Sequence, residues 1–382
     1  MNLLATTIAE LSVREPQWEI VISTTTKTGY DLARRKYADR TVFYCPLDFS
    51  WATGHAMRRV RPTMLVLAEL ELWPNLIHAA KRQGVKVAII NGRLSDTSFR
   101  GYRRLRPLVS RVLAQIDLVA AQNAETAERF AALGARSEAV HATGSLKFDG
   151  AQIDRGNPRT AELRTLAGLT DRDVVLLAGS TQDPEEQYAI GIFKRLSPNR
   201  PNLRLILVPR HPQRFDEVAA MLDASGLAWQ RRTTLITTQN SRDLTDRRWS
   251  ALLVDTIGEL GAWWGAASIG FVGGSFGSRG GQNMLEPAAY GVAMCFGPNI
   301  WNFRDIVGQL LAADGARVVK DAAEFEAFVL HMLEHLQEAA ALGERARQLV
   351  LSQQGATRRT CELLCRLVAN VTHQETKQSR AA

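Results

Sequence analysis

The sequence predicts an α/β protein built from two doubly wound, Rossmann-like halves facing a cleft. Three observations carry that reading. Short apolar runs rich in β-branched residues alternate with amphipathic stretches, the pattern of parallel sheets covered by helices on both faces. A polar break bearing glycine and proline, DGAQIDRGNPRT at 149–160, interrupts the alternation, which then restarts. The 382 residues are enough for two cores of ordinary size, and 46% apolar with 23% charged residues is the balance of a soluble globular protein.

The elements follow in order. The chain opens on a helix-like stretch, MNLLATTIAELSVREP, where a doubly wound domain would open on a strand, so the first sheet is expected to lack its first strand. EIVISTTT (19–26), TVFYCPLD (41–48), TMLVLAELE (63–71), VKVAIIN (85–91) and IDLVAAQ (116–122) then read as strands. Between the third and fourth lies PNLIHAAKRQG, with proline at the helix entry and glycine at its end. The break sets the first domain at 1–150 and the second at 151–371. DVVLLAGS, LRLILVP, ALLVD, SIGFVGG and VAMCF are the strands of the second. The arginine-rich 231–250 reads as an exposed loop, and the polar tail 372–382 as frayed.

The net charge is +8. The stretch RGYRRLRPLVSR holds Arg100, Arg103, Arg104, Arg106 and Arg111 without an acid, which suits an anionic partner such as a phosphate, a nucleic acid or a membrane surface. A solvated helix face is the other reading of such a run. The four cysteines include no Cys-x-x-Cys, and Cys361 and Cys365 at helical spacing in an apolar segment suit core packing and a reducing compartment. No signal peptide opens the chain and no apolar run approaches the roughly 20 residues that span a bilayer. No acid cluster suggests a metal, and neither a phosphate-loop Lys motif nor a G-x-G-x-x-G after a first strand is present.

Ligands of open α/β sheets collect at the carboxyl ends of strands, so the residues there are the candidates. In the second half these are Ser180, Thr181 and Asp183 ahead of an acidic helix start; Pro209, Arg210 and His211; and Ile257, Gly258 and Glu259. The last set is GGSFGSRGGQNMLEPAAYG (273–291). There a strand runs through a glycine-rich turn into a helix that Asn283 can cap, with Glu286 in its first turn. Such a turn offers backbone N–H groups to an anion; equally, glycines serve a tight turn for its shape alone. The set suits a nucleotide-phosphate ligand whose charge is met by Arg210 and backbone N–H groups. In the first half, Glu69 and Glu71 end the third strand and Lys147 lies in TGSLKFD. A glutamate and a lysine facing a cleft suit a reaction moving charge between a leaving phosphate and a hydroxyl nucleophile; a structural ion pair is the plainer reading.

The segments STTTKTGYD, ELELWPNL, AIINGRLSDTSFRGYRRL, AAQNAETAERFAALGA, TGSLKFD, LRLILVPRHPQRF, VDTIGEL, FVGGSFGSRGGQNMLEPAAYG and FGPNIWNFRDI together resemble the Kdo (3-deoxy-D-manno-octulosonic acid) transferases of lipopolysaccharide synthesis. They do so in order over about 20–307. The resemblance implies a GT-B glycosyltransferase that moves Kdo from CMP-Kdo to a lipid A precursor with inversion, with no cofactor. It further implies a peripheral place on the cytoplasmic face of the inner membrane; a nucleic-acid partner is not expected, since no aromatic stacking platform or recognised motif supports one. It assigns Glu69 and Lys147 to transition-state stabilisation. Donor binding falls to Pro209, Arg210, Ile257, Gly258, Glu259, Gly280, Gly281, Asn283, Met284, Leu285 and Glu286, and Ser180 and Thr181 join them by their place at a strand tip. Arg100, Arg103, Arg104 and Arg106 are left for the acceptor or the anionic membrane surface. Gln282 stands where the family usually has histidine. The family's base, a glutamate of a Gly-Glu pair ending the first strand, aligns just before Met1, so an upstream extension carrying that base, the first strand and a membrane anchor is expected. The alternatives are a GT-B enzyme using a UDP-sugar, or a CMP-Kdo-binding protein impaired in catalysis.

Overall fold

A computed structural model describes residues 2–235 and 249–379. Of the arginine-rich stretch expected as a loop, 236–248 lie outside the described residues; its first residues form a short strand and a single 3-10 turn, Arg232–Thr234. The chain divides into two compact units, one of Met1–Gly150 together with Gln353–Ala382, the other of Ala151–Ser352. This corrects the expected second boundary: residues from Gln353 onward belong to the first unit, and the helix Ala356–Ser379 continues into the tail expected to fray as far as Ser379.

The first unit holds β1 (Ile22–Thr24), β2 (Val42–Tyr44), β3 (Met64–Ala68), β4 (Lys86–Gly92), β5 (Leu118–Ala121) and β6 (Val140–Ala142). All pairs are parallel, but they form two ladders, β1-β2 and β3-β4-β5-β6. Among the described residues no ladder bond joins β1 to β3, so each keeps an unpaired edge. Val66 in β3 is accordingly 37% exposed, whereas β5 is buried along its whole length. Apolar residues run unbroken over 87–90 of β4 and through all of β5 because both of their faces are covered.

The helix Ala356–Ser379 contacts β4 and β5 and the helices Ala5–Arg14 and Leu146–Asp149. Ala356, Cys361 and Leu364 are buried there with Leu11, Ala88, Ile90, Leu118 and Leu146. Burial pushes the Cys361 thiol up to about 12, so it is an inert packing group.

The second unit holds β7 (Val174–Thr181), β8 (Leu203–Pro209), β9 (Trp229–Arg231), β10 (Ala251–Leu253), β11 (Ile269–Val272), β12 (Ala293–Phe296) and β13 (Arg317–Val318). They form one sheet in the order β13-β12-β11-β7-β8-β10-β9. From β7 the chain winds out through β8 and later returns to β11 on the opposite side, so β7 and β11 flank the point where strand order reverses, the usual ligand crevice of such sheets. The pairing of β7 with β8 slips between Gly179 and Thr181. Ser180, at φ 56°, is the bulged residue that turns the tip of β7.

Candidate active site

In the second unit the candidates lie at the carboxyl ends of β7, β8, β10 and β11. Thr181 is buried, and its Oγ1 and the Gln182 Nε2 beside it have no hydrogen-bond partner among the described residues. Such orphaned polar atoms at a strand tip are unusual. Pro209 is buried at the end of β8. Arg210 is exposed, and its backbone N–H donates to the Thr181 carbonyl at 3.0 Å, tying the tips of β7 and β8. His211 Nε2 lies 3.4 Å from Arg279 Nη2 of the glycine-rich turn.

The turn itself departs from expectation. The N–H groups of Gly274, Ser275 and Phe276 are not free for an anion, because all three donate to the carboxylate of Glu185. Gly281 N–H donates to Gly274 O at 2.8 Å. Gly280 and Gly281, at φ 85° and 84°, meet a conformational demand that glycine alone satisfies without strain. Asn283 accepts from the Leu285 N–H at 3.1 Å and donates to Glu286 Oε1 at 3.0 Å. It thus leads into the helix Leu285–Ala289, whose five residues make too short a dipole to attract an anion strongly. Met284 and Leu285 are core side chains, 0% and 4% exposed, so only their backbone faces the site. Burial pushes the Glu286 carboxyl above its usual range, with Asn283 and the charge of Arg210 drawing it back down.

After β10, Ile257 is 80% exposed and Gly258 takes φ 89°. Glu259 is not an open acceptor for a sugar hydroxyl. Arg232 donates to it twice at 2.8 Å, Arg159 at 2.5 Å and Thr256 at 2.7 Å. Burial alone would raise its carboxyl, but Arg232, Thr256 and Arg159 outweigh burial and hold it below the usual range. A carboxylate with a depressed folded value contributes stability above its unfolded value of about 4.3, and that stability is lost as pH falls through the lower folded value. Arg232→Ala is therefore expected to destabilise the protein at pH 7 and to do so less at a pH below that folded value. Urea unfolding at the two pH values checks this; an equal penalty at both would contradict it.

In the first unit, Glu69 follows β3 with φ 59° and Asn91 lies in β4 with φ 53°. Non-glycine residues in this region cost about 1–3 kcal/mol each and cluster at functional sites. Glu69 N–H donates to Ile90 O at 2.9 Å. Asn91, fully buried, accepts the Leu146 N–H at 3.0 Å. The tips of β3 and β4 and the helix Leu146–Asp149 are thus drawn together, with Lys147 exposed. Among the described residues neither Glu69 nor Lys147 makes an ion pair, so the plain structural pairing is not what holds them.

Asp149 accepts the Gly355 N–H at 2.6 Å and the Thr357 N–H, and Arg359 Nε donates to Thr143 O at 2.7 Å. The C-terminal helix therefore fixes the Lys147 segment. Arg100, Arg103, Arg104 and Arg106 are all exposed, on the helices Asp96–Arg104 and Arg106–Leu113.

A family model described as 3-deoxy-D-manno-octulosonic-acid transferase (kdotransferase) matches residues 1–150. The chain is 37% identical over 326 residues to a 3-deoxy-D-manno-octulosonic acid transferase of Bordetella pertussis, covering 84% of this chain and 73% of that one. The chain belongs to the Kdo transferase family. A Haemophilus influenzae transferase of the same description is 32% identical over 359 residues, covering 94% of this chain and 82% of that one. The fold is that of the UDP-GlcNAc 2-epimerase of Neisseria meningitidis bound to UDP-GlcNAc, with TM-score 0.62 at 11% identity and 96% of each chain covered. This Kdo transferase is a glycosyltransferase with the GT-B fold.

Several features of this Kdo transferase escaped the sequence reading. Leu105 and Leu108, 56% and 61% exposed, set apolar side chains among the arginines. A second apolar group, Leu47, Phe49 and Trp51, is 72%, 55% and 75% exposed, and the Phe49 and Trp51 rings stack with centroids 6.4 Å apart. The only sequence signal for it was aromatic residues in a loop before a helix, DFSW at 48–51. Among the described residues no helix is long and apolar enough to cross a membrane.

Proposed function

We propose that the protein moves Kdo from CMP-Kdo to a lipid A precursor with inversion at the anomeric carbon. Membership of the Kdo transferase family carries this reading. The acceptor hydroxyl attacks the anomeric carbon as the bond from that carbon to the phosphate oxygen breaks. CMP leaves with the electron pair, and the hydroxyl proton passes to the glutamate base that the resemblance implies. In this reading Arg210, His211 and Arg279 meet the phosphate, and Asn283 and Glu286 bind the nucleotide. Ser180, Thr181 and the backbone of residues 257–259 and 280–281 line the donor site. The unpartnered Thr181 Oγ1 and Gln182 Nε2 favour a polar ligand there. Glu69 and Lys147 stabilise the charge that develops in transfer.

The acceptor is held at an anionic membrane surface by Arg100, Arg103, Arg104 and Arg106, with Leu105 and Leu108 entering the interface, on the cytoplasmic face of the inner membrane. Each basic residue near such a surface is worth about 1 kcal/mol. Arg103→Glu/Arg104→Glu is expected to weaken sedimentation with vesicles containing anionic lipid by at least tenfold, and rising salt to weaken the unaltered protein in the same way. Binding indifferent to both would remove the surface role.

Incubation with CMP-Kdo and lipid IVA tests the whole reading through CMP release and the mass of the lipid product. Preference for UDP over CMP in competition binding would favour the UDP-sugar alternative. Tight CMP binding with no product would favour the impaired binder.

A further inference from the structure

The helix Glu185–Leu196 begins with two adjacent glutamates, and neither faces solvent: Glu185 is 1% exposed and Glu186 is 0% exposed. Burying a carboxylate is costly unless its lone pairs are met. Glu185 meets them by reaching away from its own helix. Oε2 accepts the N–H groups of Gln182 at 3.0 Å and Gly274 at 2.7 Å, and Oε1 those of Ser275 at 2.9 Å and Phe276 at 3.0 Å. Four donors on one side chain require the acceptor-only, ionised form. Burial pushes this carboxyl up, and the four N–H groups draw it back.

Gly273 makes the approach possible, since a Cβ there would lie 2.7 Å from Glu185 Oε2 and 2.6 Å from Thr181 Cα. Glu186 acts in parallel on the neighbouring loop, taking Arg214 Nε and Nη2 at 3.2 Å each three residues after His211.

The far side of the turn is also built. Ser275 Oγ accepts the Gly297 N–H at 2.8 Å, Asn299 Nδ2 donates to the carbonyls of Phe276 and Gly277 at 3.0 and 2.9 Å, and Asn302 Nδ2 donates to Arg279 O at 2.7 Å. The Phe276 ring packs on Phe271 with centroids 5.3 Å apart. A segment that runs through Gly277, Gly280 and Gly281 would otherwise sample many conformers.

We propose that Glu185 is the positioning residue of the donor site: by holding the start of the glycine-rich turn it sets Arg279, Gly280, Gly281 and Asn283 in the geometry that receives the donor phosphate. This rests on the CMP-Kdo reading above. Glu185 touches no ligand. Its charge-assisted hydrogen bonds order the turn before the nucleotide arrives, so binding does not bear that ordering cost.

The test uses the full chain and CMP as the probe. Glu185→Gln keeps the shape but sets an amide N–H₂ against backbone N–H donors, so at least one of the four bonds fails. CMP affinity by calorimetry, at a temperature where circular dichroism shows the variant folded, is expected to fall at least tenfold. Phe193→Leu, a buried change in the same helix, provides a control that lowers the melting temperature without touching the turn, and its CMP affinity is expected to stay within twofold. A Glu185→Gln variant that melts earlier yet binds CMP like the unaltered protein overturns the proposal.

Hydrogen exchange of the Gly274, Ser275 and Phe276 amides in the unaltered protein supplies a readout that needs no variant. They are expected to be protected without CMP and unchanged by it. Exchange that is fast alone and slowed by CMP would overturn the proposal as well. Absence of CMP binding by the unaltered protein would instead sink the donor reading on which the proposal rests.

Discussion

Replacing Glu69 with glutamine is expected to slow sugar transfer by about 10²–10³-fold while leaving CMP affinity unchanged, because Glu69 and the nucleotide candidates belong to different units. The backbone at Glu69 makes a second, opposite prediction possible. A glutamate at φ 59° stores about 1–3 kcal/mol of strain, and glycine at that position releases it. Glycine adds roughly 0.5–1 kcal/mol of backbone entropy to the unfolded chain, so Glu69→Gly should unfold at or above the urea midpoint of the unaltered protein even as transfer collapses. Loss of stability in both variants would mean that Glu69 is a structural residue. Loss of activity with stability held or raised is the signature of a residue kept in a strained conformation for chemistry.

The second large effect is expected at Gly280. A Cβ there would lie 2.4 Å from Trp301 Nε1 and 2.8 Å from Asn302 Nδ2, at φ 85°. Gly280→Ala therefore combines backbone strain of about 1–3 kcal/mol with eviction of Trp301 and Asn302, and Asn302 holds Arg279 through its carbonyl. CMP affinity should fall by at least tenfold along with stability. Trp301→Ala on the Gly280→Ala background removes the nearest obstacle, and part of the lost stability should return, although the unfavourable φ remains. A double variant no more stable than the single one would show that backbone strain, not crowding, sets the cost.

The strands of the second unit were legible because buried parallel strands announce themselves as apolar runs: Leu203–Pro209 and Ile269–Val272 fall inside segments read from sequence, and Val174–Thr181 extends one residue past its segment. Val140–Ala142, Trp229–Arg231 and Arg317–Val318 were not, since two or three residues at or near a sheet edge carry no periodicity to detect. The motifs marked the strand tips, and the site candidates do gather there, but sequence could not say what each polar group had already paired with. Glu259 was assigned to donor binding, and its carboxylate is held by Arg232, Arg159 and Thr256. Glu185 was read as ordinary acid at a helix start, where carboxylates complement the dipole, and it reaches instead across to a turn about 90 residues away in the chain. Side-chain pairing across the fold, unlike backbone periodicity, leaves no trace in the local sequence.

The C-terminal helix gives the chain an unequal architecture. Ala151–Ser352 is an insert: the polypeptide leaves the first unit once, completes the second, and comes home to finish the first. The nucleotide candidates therefore sit on a module with both of its ends spliced into the other, and shortening the chain from its C-terminus erodes the Lys147 unit, not the donor unit. The Asp149 carboxylate, bonded to Gly355 across a separation of 206 residues, is the clasp of that splice. Ribosomal synthesis must deliver Gly355 and Thr357 before the helix bearing Lys147 is locked, so of the two units the one that begins to emerge first is completed second.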